Sequence, residues 1–349
     1  MADKEAGRLL LIEALFGFVA AIFLVLVLKE LRQIFIPFFV ALFFYFMLNR
    51  LVRRLEKRRL PKPLILIGVL LLVFSSLFLL GLLIFNGASS FIDNFPLYSE
   101  KITRLVKDML ISLKLPMIDV QQYLAHIDWE KNIDPGKITA IVSGTLGNFS
   151  SLFGNLLLVV LLLMFMLAEK VSMAARITQA LSKQRGEELQ SMMATINARV
   201  QHYLFIKTLM SLATALLAAV ILIIGGVDLV IFFSLLVFFL NFIPTFGSLV
   251  STAFPVLIAF LKFGFCLRLI VIAAALMVMQ FVMGNVIEPL VMGRSLDLSP
   301  IVILLSLIFW GWLWGVVGMF LSVPITAALK IYFESIPSLK PLAAALSSE

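Results

Sequence analysis

Eight apolar runs, free or nearly free of charge, organise the chain: 9–28, 34–48, 64–85, 149–168, 203–224, 229–261, 269–286 and 301–329. About 20 residues of α-helix cross the hydrocarbon core of a bilayer, so most of these runs predict membrane spans. The run 229–261 is longer than one span needs and is interrupted at Pro244 and Gly247. It predicts either one broken helix or a re-entrant hairpin. The last run holds 29 uncharged residues, about 43 Å as straight helix, and must tilt, bend or break. Gly311, Gly315 and Gly318 supply small faces for close helix approach there, and Trp310, Trp312 and Trp314 are candidates for a membrane interface. Pro324 adds a kink, with Ser322 and Thr326 placed to satisfy freed backbone groups.

The polar stretches set the topology. Loop 50–62 carries Arg50, Arg53, Arg54, Lys57, Arg58, Arg59 and Lys62 against the single acid Glu56, which by the positive-inside rule is cytoplasmic. Two spans precede it, so the N-terminus is expected in the cytoplasm, and region 1–85 forms the N-terminal membrane helices. The span 64–85 then delivers 86–148 to the outside as a small helical insertion. Ile102, Leu105, Val106, Met109, Leu110 and Leu113 recur there at helical spacing, before turn signals at Pro116, Asp134, Pro135 and Gly136. Its seven acids nearly balance six bases, as a translocated segment can, and His126 and Trp129 stand without a partner pattern. After the membrane helix 149–168, segment 169–202 returns to the cytoplasm. It carries the stripe Met173, Ile177, Leu181, then Leu189, Met193, Ile196 and Val200, which suits docking on a membrane surface or a neighbouring subunit. Region 203–333 is a C-terminal membrane core and 334–349 a tail. A single crossing by 229–261 puts Lys262, Arg268 and the C-terminus in the cytoplasm, which fits Lys330 and Lys340; a turn back puts the C-terminus outside.

Composition agrees with this all-α polytopic membrane fold of about eight transmembrane helices, some broken by Pro and Gly. Hydrophobic residues make up 62% of the chain and charged residues 14%, with mean hydropathy +1.10, more apolar surface than a soluble domain of 349 residues can bury. The formal charge of +8 does not mark nucleic-acid binding, because the basic residues lie between apolar runs and not on a soluble face. The run 9–28 is too long for a signal-peptide core and has no small-residue cleavage site behind it, so a retained anchor is expected. Cys266 is the single cysteine, which excludes an internal disulfide and a CxxC redox motif. No phosphate-binding loop, HExxH or GxSxG occurs. Neither an enzyme, a metal site nor a cofactor is expected.

Helix-breaking chemistry inside apolar runs carries the candidate function. Asn241, Pro244, Thr245 and Gly247 stand in NFIPTFG, and Asn285, Glu288, Pro289 and Gly293 in GNVIEPLVMG. Proline removes a backbone donor and glycine weakens a helix, and freed backbone groups at membrane depth persist only where protein or a polar cavity satisfies them. Broken helices of this kind build substrate and ion sites in secondary transporters; two ordinary proline kinks would give the same letters. Glu288 is a costly carboxylate unless it is paired or faces water, so it either binds a cation or proton or lies at the interface. Lys207 lies one turn into its span and is placed to snorkel to the cytoplasmic surface.

The stretches LNRLVRRLEKR, HYLFIKTLMS, NFIPTFG, GNVIEPLVMGRSLDLSP and FWGWLWGVVGMFLSVPIT resemble the autoinducer-2 exporter family, also described as PerM-like permeases. The resemblance covers most of the chain and implies a bundle of about eight membrane helices in the bacterial inner membrane, assembled as a homo-oligomer. It further implies export of the quorum-sensing signal autoinducer-2 or, in some members, exchange of sodium or lithium for protons. Many relatives place an acid just before the Gly-Asn pair, where this chain has Met283. Three readings follow: a secondary transporter exporting a small polar solute such as autoinducer-2, a cation/proton antiporter working through Glu288, and a non-transporting membrane scaffold or sensor.

Overall fold

The structure is a computed structural model and describes residues 15, 17, 19, 20, 22–112, 149–168, 183–244, 246–292 and 297–347. Most of the predicted outer insertion, with His126 and Trp129, the first half of the 169–202 stripe, Thr245 and Gly293 lie outside the described residues. The described secondary structure is helical throughout: α1 Arg32–Lys57, α2 Lys62–Ser112, α3 Phe149–Ala168, α4 Lys183–Gly225, α5 Val230–Leu240, α6 Phe246–Phe263 and α7 Leu267–Phe281. A π-helical segment Val282–Ile287, α8 Glu288–Met292, α9 Pro300–Ser335, a 3-10 turn and α10 Lys340–Leu346 complete the order. Six stretches are long and apolar enough to cross a membrane, on α1, α2, α4, α6, the α7–α8 segment and α9, and Leu156–Leu167 and Val230–Leu240 are shorter apolar helices. The protein is an all-α polytopic membrane protein. Large apolar side chains left uncovered on these helices, among them Leu71 and Phe78 on α2 and Leu216 and Ile223 on α4, are those a lipid-facing surface requires.

Two predicted boundaries carry no break. The 51-residue α2 continues the span 64–85 far into the predicted insertion, and the 43-residue α4 joins residues 183–202 to the span 203–224. As straight helices these measure about 76 Å and about 64 Å, well beyond a hydrocarbon core, so both project out of it.

The chain divides into two compact units, one of Met1–Lys62, Leu158–Leu204 and Leu296–Glu349, the other of Pro63–Leu157 and Phe205–Ser295. The second unit settles the run 229–261. Asp228 before α5 and Lys262 near the end of α6 meet, Oδ1 to Nζ at 2.5 Å. Laid end to end, α5 and α6 would hold them more than about 40 Å apart. The run is therefore a helical hairpin that turns back, and the single crossing expected from its flanking charges does not occur. Helix α5 has only 11 residues, and Asn241, Phe242 and Ile243 reverse the chain beyond it. A Cβ on Gly247 would lie 1.6 Å from the Leu240 carbonyl oxygen, so the two legs close on the one residue without a side chain.

The first unit holds a second hairpin. Gly315 interrupts α9 at φ 67°, ψ −145°, a conformation reserved for glycine. Residues on either side of it come into contact: a Cβ on Gly318 would meet the Trp310 carbonyl oxygen at 1.9 Å, and Ser306 Oγ lies 3.1 Å from the Ser322 carbonyl oxygen and 2.5 Å from Thr326 Oγ1. The 29-residue run thus breaks and reverses. Trp310 and Trp314 do not lie at a surface; they are buried against Phe35 and Phe39, with Trp314 Nε1 donating to the Leu28 carbonyl at 3.1 Å. Trp312 is exposed, with Lys29 Nζ 4.6 Å from its ring centre, as an interfacial Trp would be. Lys330, expected as a topology marker, is 1% exposed and donates to the Asp297 carbonyl and to its carboxylate at 2.7 Å.

Candidate functional site

Within the second unit, α4 carries Lys207, Ser211 and Thr214 at positions i, i+4 and i+7, one face of a helix otherwise apolar. All three are buried. Thr214 is satisfied locally, donating to the Met210 carbonyl at 2.8 Å. The other two reach side chains of different helices. Lys207 Nζ meets Glu288 Oε1 at 2.5 Å, and Asn241 Nδ2 at the hairpin tip donates to Ser211 Oγ at 3.1 Å. A third link joins α7 to α6, with Gln280 Nε2 donating to Ser251 Oγ at 3.0 Å while Ser251 donates to the Ser248 carbonyl at 3.2 Å.

The Asn241–Ser211 and Gln280–Ser251 links share one depth, and the Lys207–Glu288 pair lies about 10 Å beyond them. The hairpin's open end is marked by the Asp228–Lys262 pair and by Arg268, whose Nε donates to the Gly225 carbonyl at 2.9 Å and whose guanidinium lies 4.3 Å from the Phe263 ring centre. Counting about 1.5 Å per residue from that end, Asn241, Ser251, Gln280 and Ser211 lie about 16 to 21 Å away and Lys207 about 27 Å. The apolar cluster that includes Ile206, Met210, Leu222, Val237, Leu276 and Met283 occupies the same unit, so the polar links are set into an otherwise dry interior.

The π segment explains how Glu288 joins these links. The Glu288 N–H bonds the Met283 carbonyl five residues back, and Pro289 has no N–H to continue the α pattern. On an uninterrupted α-helix Gln280 and Glu288 would point about 80° apart, but π turns advance each residue by about 80° instead of about 100°, which brings the two within about 30°. The wider turn aims both side chains at one face. GNVIEPLVMG is thus a re-registered helix up to Met292 and not a second broken one.

The predicted residues separate accordingly. Asn241 and Glu288 are half-buried and bonded to buried partners on α4, Pro244 and Gly247 build the turn that presents Asn241, and Asn285 and Pro289 are exposed within this unit. Asn285 only donates to the Phe281 carbonyl at 3.2 Å. At the tip, the amides of Asn241, Phe242, Ile243, Phe246 and Gly247 are bonded to nearby carbonyls, so among the described residues side chains and not freed amides are the polar groups on offer. Lys207 does not snorkel; it is 5% exposed and committed to Glu288. The sequence signal for the missed partners was present: Lys207, Ser211 and Thr214 recur at helical spacing inside an apolar span.

Apolar runs that turn back, one of them with a polar side chain, Asn241, at its turn, fit a polytopic membrane transporter. The chain belongs to the AI-2E family of transporters, whose family model matches residues 16–338. It is 33% identical over 328 residues to the AI-2 transport protein TqsA of Escherichia coli K12, covering 93% of each chain. It is similarly 34% identical over 330 residues to a Haemophilus influenzae protein, covering 93% of each, and 32% identical over 306 residues to YhhT of Escherichia coli K12, covering 87% of this chain and 85% of that one. Those two bear the name "Putative transport protein", without a substrate.

Proposed function

We propose that this protein exports a small, uncharged, polar solute across the inner membrane, and that the solute is autoinducer-2. The observation that carries the reading is the set of inter-helix links from half-buried Asn241 and Gln280 to buried Ser211 and Ser251, in the same unit as a self-neutralised Lys207–Glu288 pair. Hydroxyls and amides exchange hydrogen bonds with a polyhydroxylated molecule, whereas a site for a bare cation needs uncompensated carboxylate. The relative named for AI-2 transport supports the choice of solute. The test is movement of labelled autoinducer-2 in proteoliposomes of the full chain, with and without pH or sodium gradients. Signal movement indifferent to both gradients supports the reading. Sodium-driven proton flux without movement of the signal replaces it with cation exchange.

The same reading orients the chain. With 50–62 cytoplasmic and both 229–261 and 301–329 turning back, the α5–α6 hairpin opens to the outside, and the α9 hairpin and the C-terminus face the cytoplasm. In a background lacking Cys266, a cysteine at Gly264 is expected to react with an impermeant maleimide added to intact cells. One at Ser347 should react only after lysis. The reverse pattern would invert the topology.

A further inference from the structure

In the first unit, α1, α4 and the second leg of α9 enclose an open-sided cavity of about 240 Å³. Phe39, Phe43 and Phe46 form one wall, Val200 and Leu204 another, and Pro324 lies on the third; every lining side chain is apolar. The volume exceeds the roughly 150 Å³ of a dry apolar cavity that accommodates benzene. Water has no polar partner here, and an empty groove would forfeit dispersion contacts along three helices.

What lies at one end narrows the choice of occupant. On α4 the wall ends at Ile196 and Val200, beside the exposed Arg199. On α1, Phe46 is followed about 12 to 20 Å further along by the exposed Arg54, Lys57, Arg58 and Arg59. The acid of that stretch, Glu56, is taken by Lys62 at 3.3 Å. Ser335 Oγ contacts Met192 Sδ at 2.9 Å, so the C-terminal end of α9 lies at the same end of α4 as Arg199. Glu187, Glu188 and Glu334 are also exposed at that end, so the cationic edge of this apolar slot is the α1 cluster together with Arg199, and an apolar slot in membrane helices with such an edge fits one molecule above others. We propose that this cavity holds one acyl chain of an anionic phospholipid, whose phosphate rests among Arg199 and the Arg54–Arg59 cations.

The experiment is native mass spectrometry of the full-length protein in detergent, titrated with phosphatidylglycerol and, separately, with phosphatidylcholine of the same chains. The wild type is expected to retain phosphatidylglycerol at one tight site per chain, in preference to phosphatidylcholine. Ala328→Trp, which fills the groove, should cut occupancy roughly tenfold or more, because each methylene kept out weakens binding several-fold. Arg54→Gln with Arg199→Gln should keep a lipid but bring the two headgroups towards parity. If Ala328→Trp does not fold, Val200→Phe tests the same volume. Wild-type lipid occupancy in a folded groove-filled variant, or no headgroup preference in the wild type, overturns the proposal. So does a groove-filled variant that breaks an oligomer apart while its lipid stays, since the cavity would then receive a second copy of the chain.

Discussion

The two hairpins solve one problem in different ways. Each reverses an apolar run too long for a single span, and each closes where a glycine lets a helix backbone approach its partner leg: Gly247 on Leu240, Gly318 on Trp310. They differ in where their polar groups point. In the α9 hairpin, Ser306 bonds the Ser322 carbonyl and the Thr326 hydroxyl across the legs, and the Ser322 hydroxyl donates to the Met319 carbonyl in its own leg, so the polar chemistry is consumed within the hairpin. In the α5–α6 hairpin, Asn241 and Ser251 instead reach Ser211 on α4 and Gln280 on α7. Polar groups bonded within an element stabilise it; those bonded between elements can be exchanged for bonds to a solute when the elements part. On the function proposed above, the first unit's hairpin is a structural staple and the second unit's is the solute site.

The harshest way to break the comparison is to deny both hairpins their closure. Gly247→Ala and Gly318→Ala each set a Cβ against a carbonyl oxygen that is rigid backbone, so neither fits without reopening the turn. Both are expected to abolish folding or to destabilise by more than about 3 kcal/mol. Gly68→Ala in α2, where nothing lies within 4 Å, should be neutral or slightly stabilising. Thermal stability in detergent, read by fluorescence-detected gel filtration, checks all three. A stable Gly247→Ala protein with wild-type transport would mean that the α5–α6 legs need not close.

The next perturbation separates site from staple at Lys207 and Glu288. Either single change, Lys207→Met or Glu288→Leu, strands its partner as a charge in a dry interior and should cost about 3–5 kcal/mol. The pair Lys207→Met with Glu288→Leu removes both charges, and apolar replacement of a buried ion pair is often neutral or stabilising. The double variant is therefore expected to regain wild-type stability while remaining inactive in transport. Wild-type transport by that stable variant would reduce the pair to a structural strut, as Lys330 and Asp297 form in the first unit.

How much of this was legible in the letters follows from what periodicity can encode. The all-helical polytopic class, the reversal-prone Asn241–Gly247 stretch and the cost of Glu288 are local properties of composition and breakers and read directly, whereas six helices, not the expected eight or so, are long and apolar enough to cross a membrane among the described residues. The partner of Glu288 lies 81 residues away on another helix and is reached only because a π turn shifts the register by about a full residue. A pattern of apolar letters carries no mark of that shift. The single crossing of 229–261 failed for a related reason: Lys262 and Arg268 looked like cytoplasmic charges, but Asp228 pairs with Lys262 and the Gly225 carbonyl holds Arg268 at the hairpin's open end. Positive charge orients a loop only when it is not already partnered.

The smallest expected effects sharpen the comparison most, because they leave both folds intact. Asn241→Leu removes one hydrogen bond to Ser211, and Ser306→Ala removes the bonds to Thr326 and the Ser322 carbonyl. Each should cost about 1 kcal/mol, since a net intramolecular hydrogen bond contributes about 0.5–1.5 kcal/mol and bonds between membrane helices average about 0.6. On a stability scale the two variants should be nearly indistinguishable. Transport should tell them apart: Asn241→Leu takes away a group that a passing polar solute would need, and Ser306→Ala takes away only a clasp. A large loss of autoinducer-2 movement in Asn241→Leu at matched stability, with Ser306→Ala close to wild type, places the solute path at the α5–α6 tip. Equal loss in both would mean that transport tracks the rigidity of either hairpin, and the distinction between site and staple would fall.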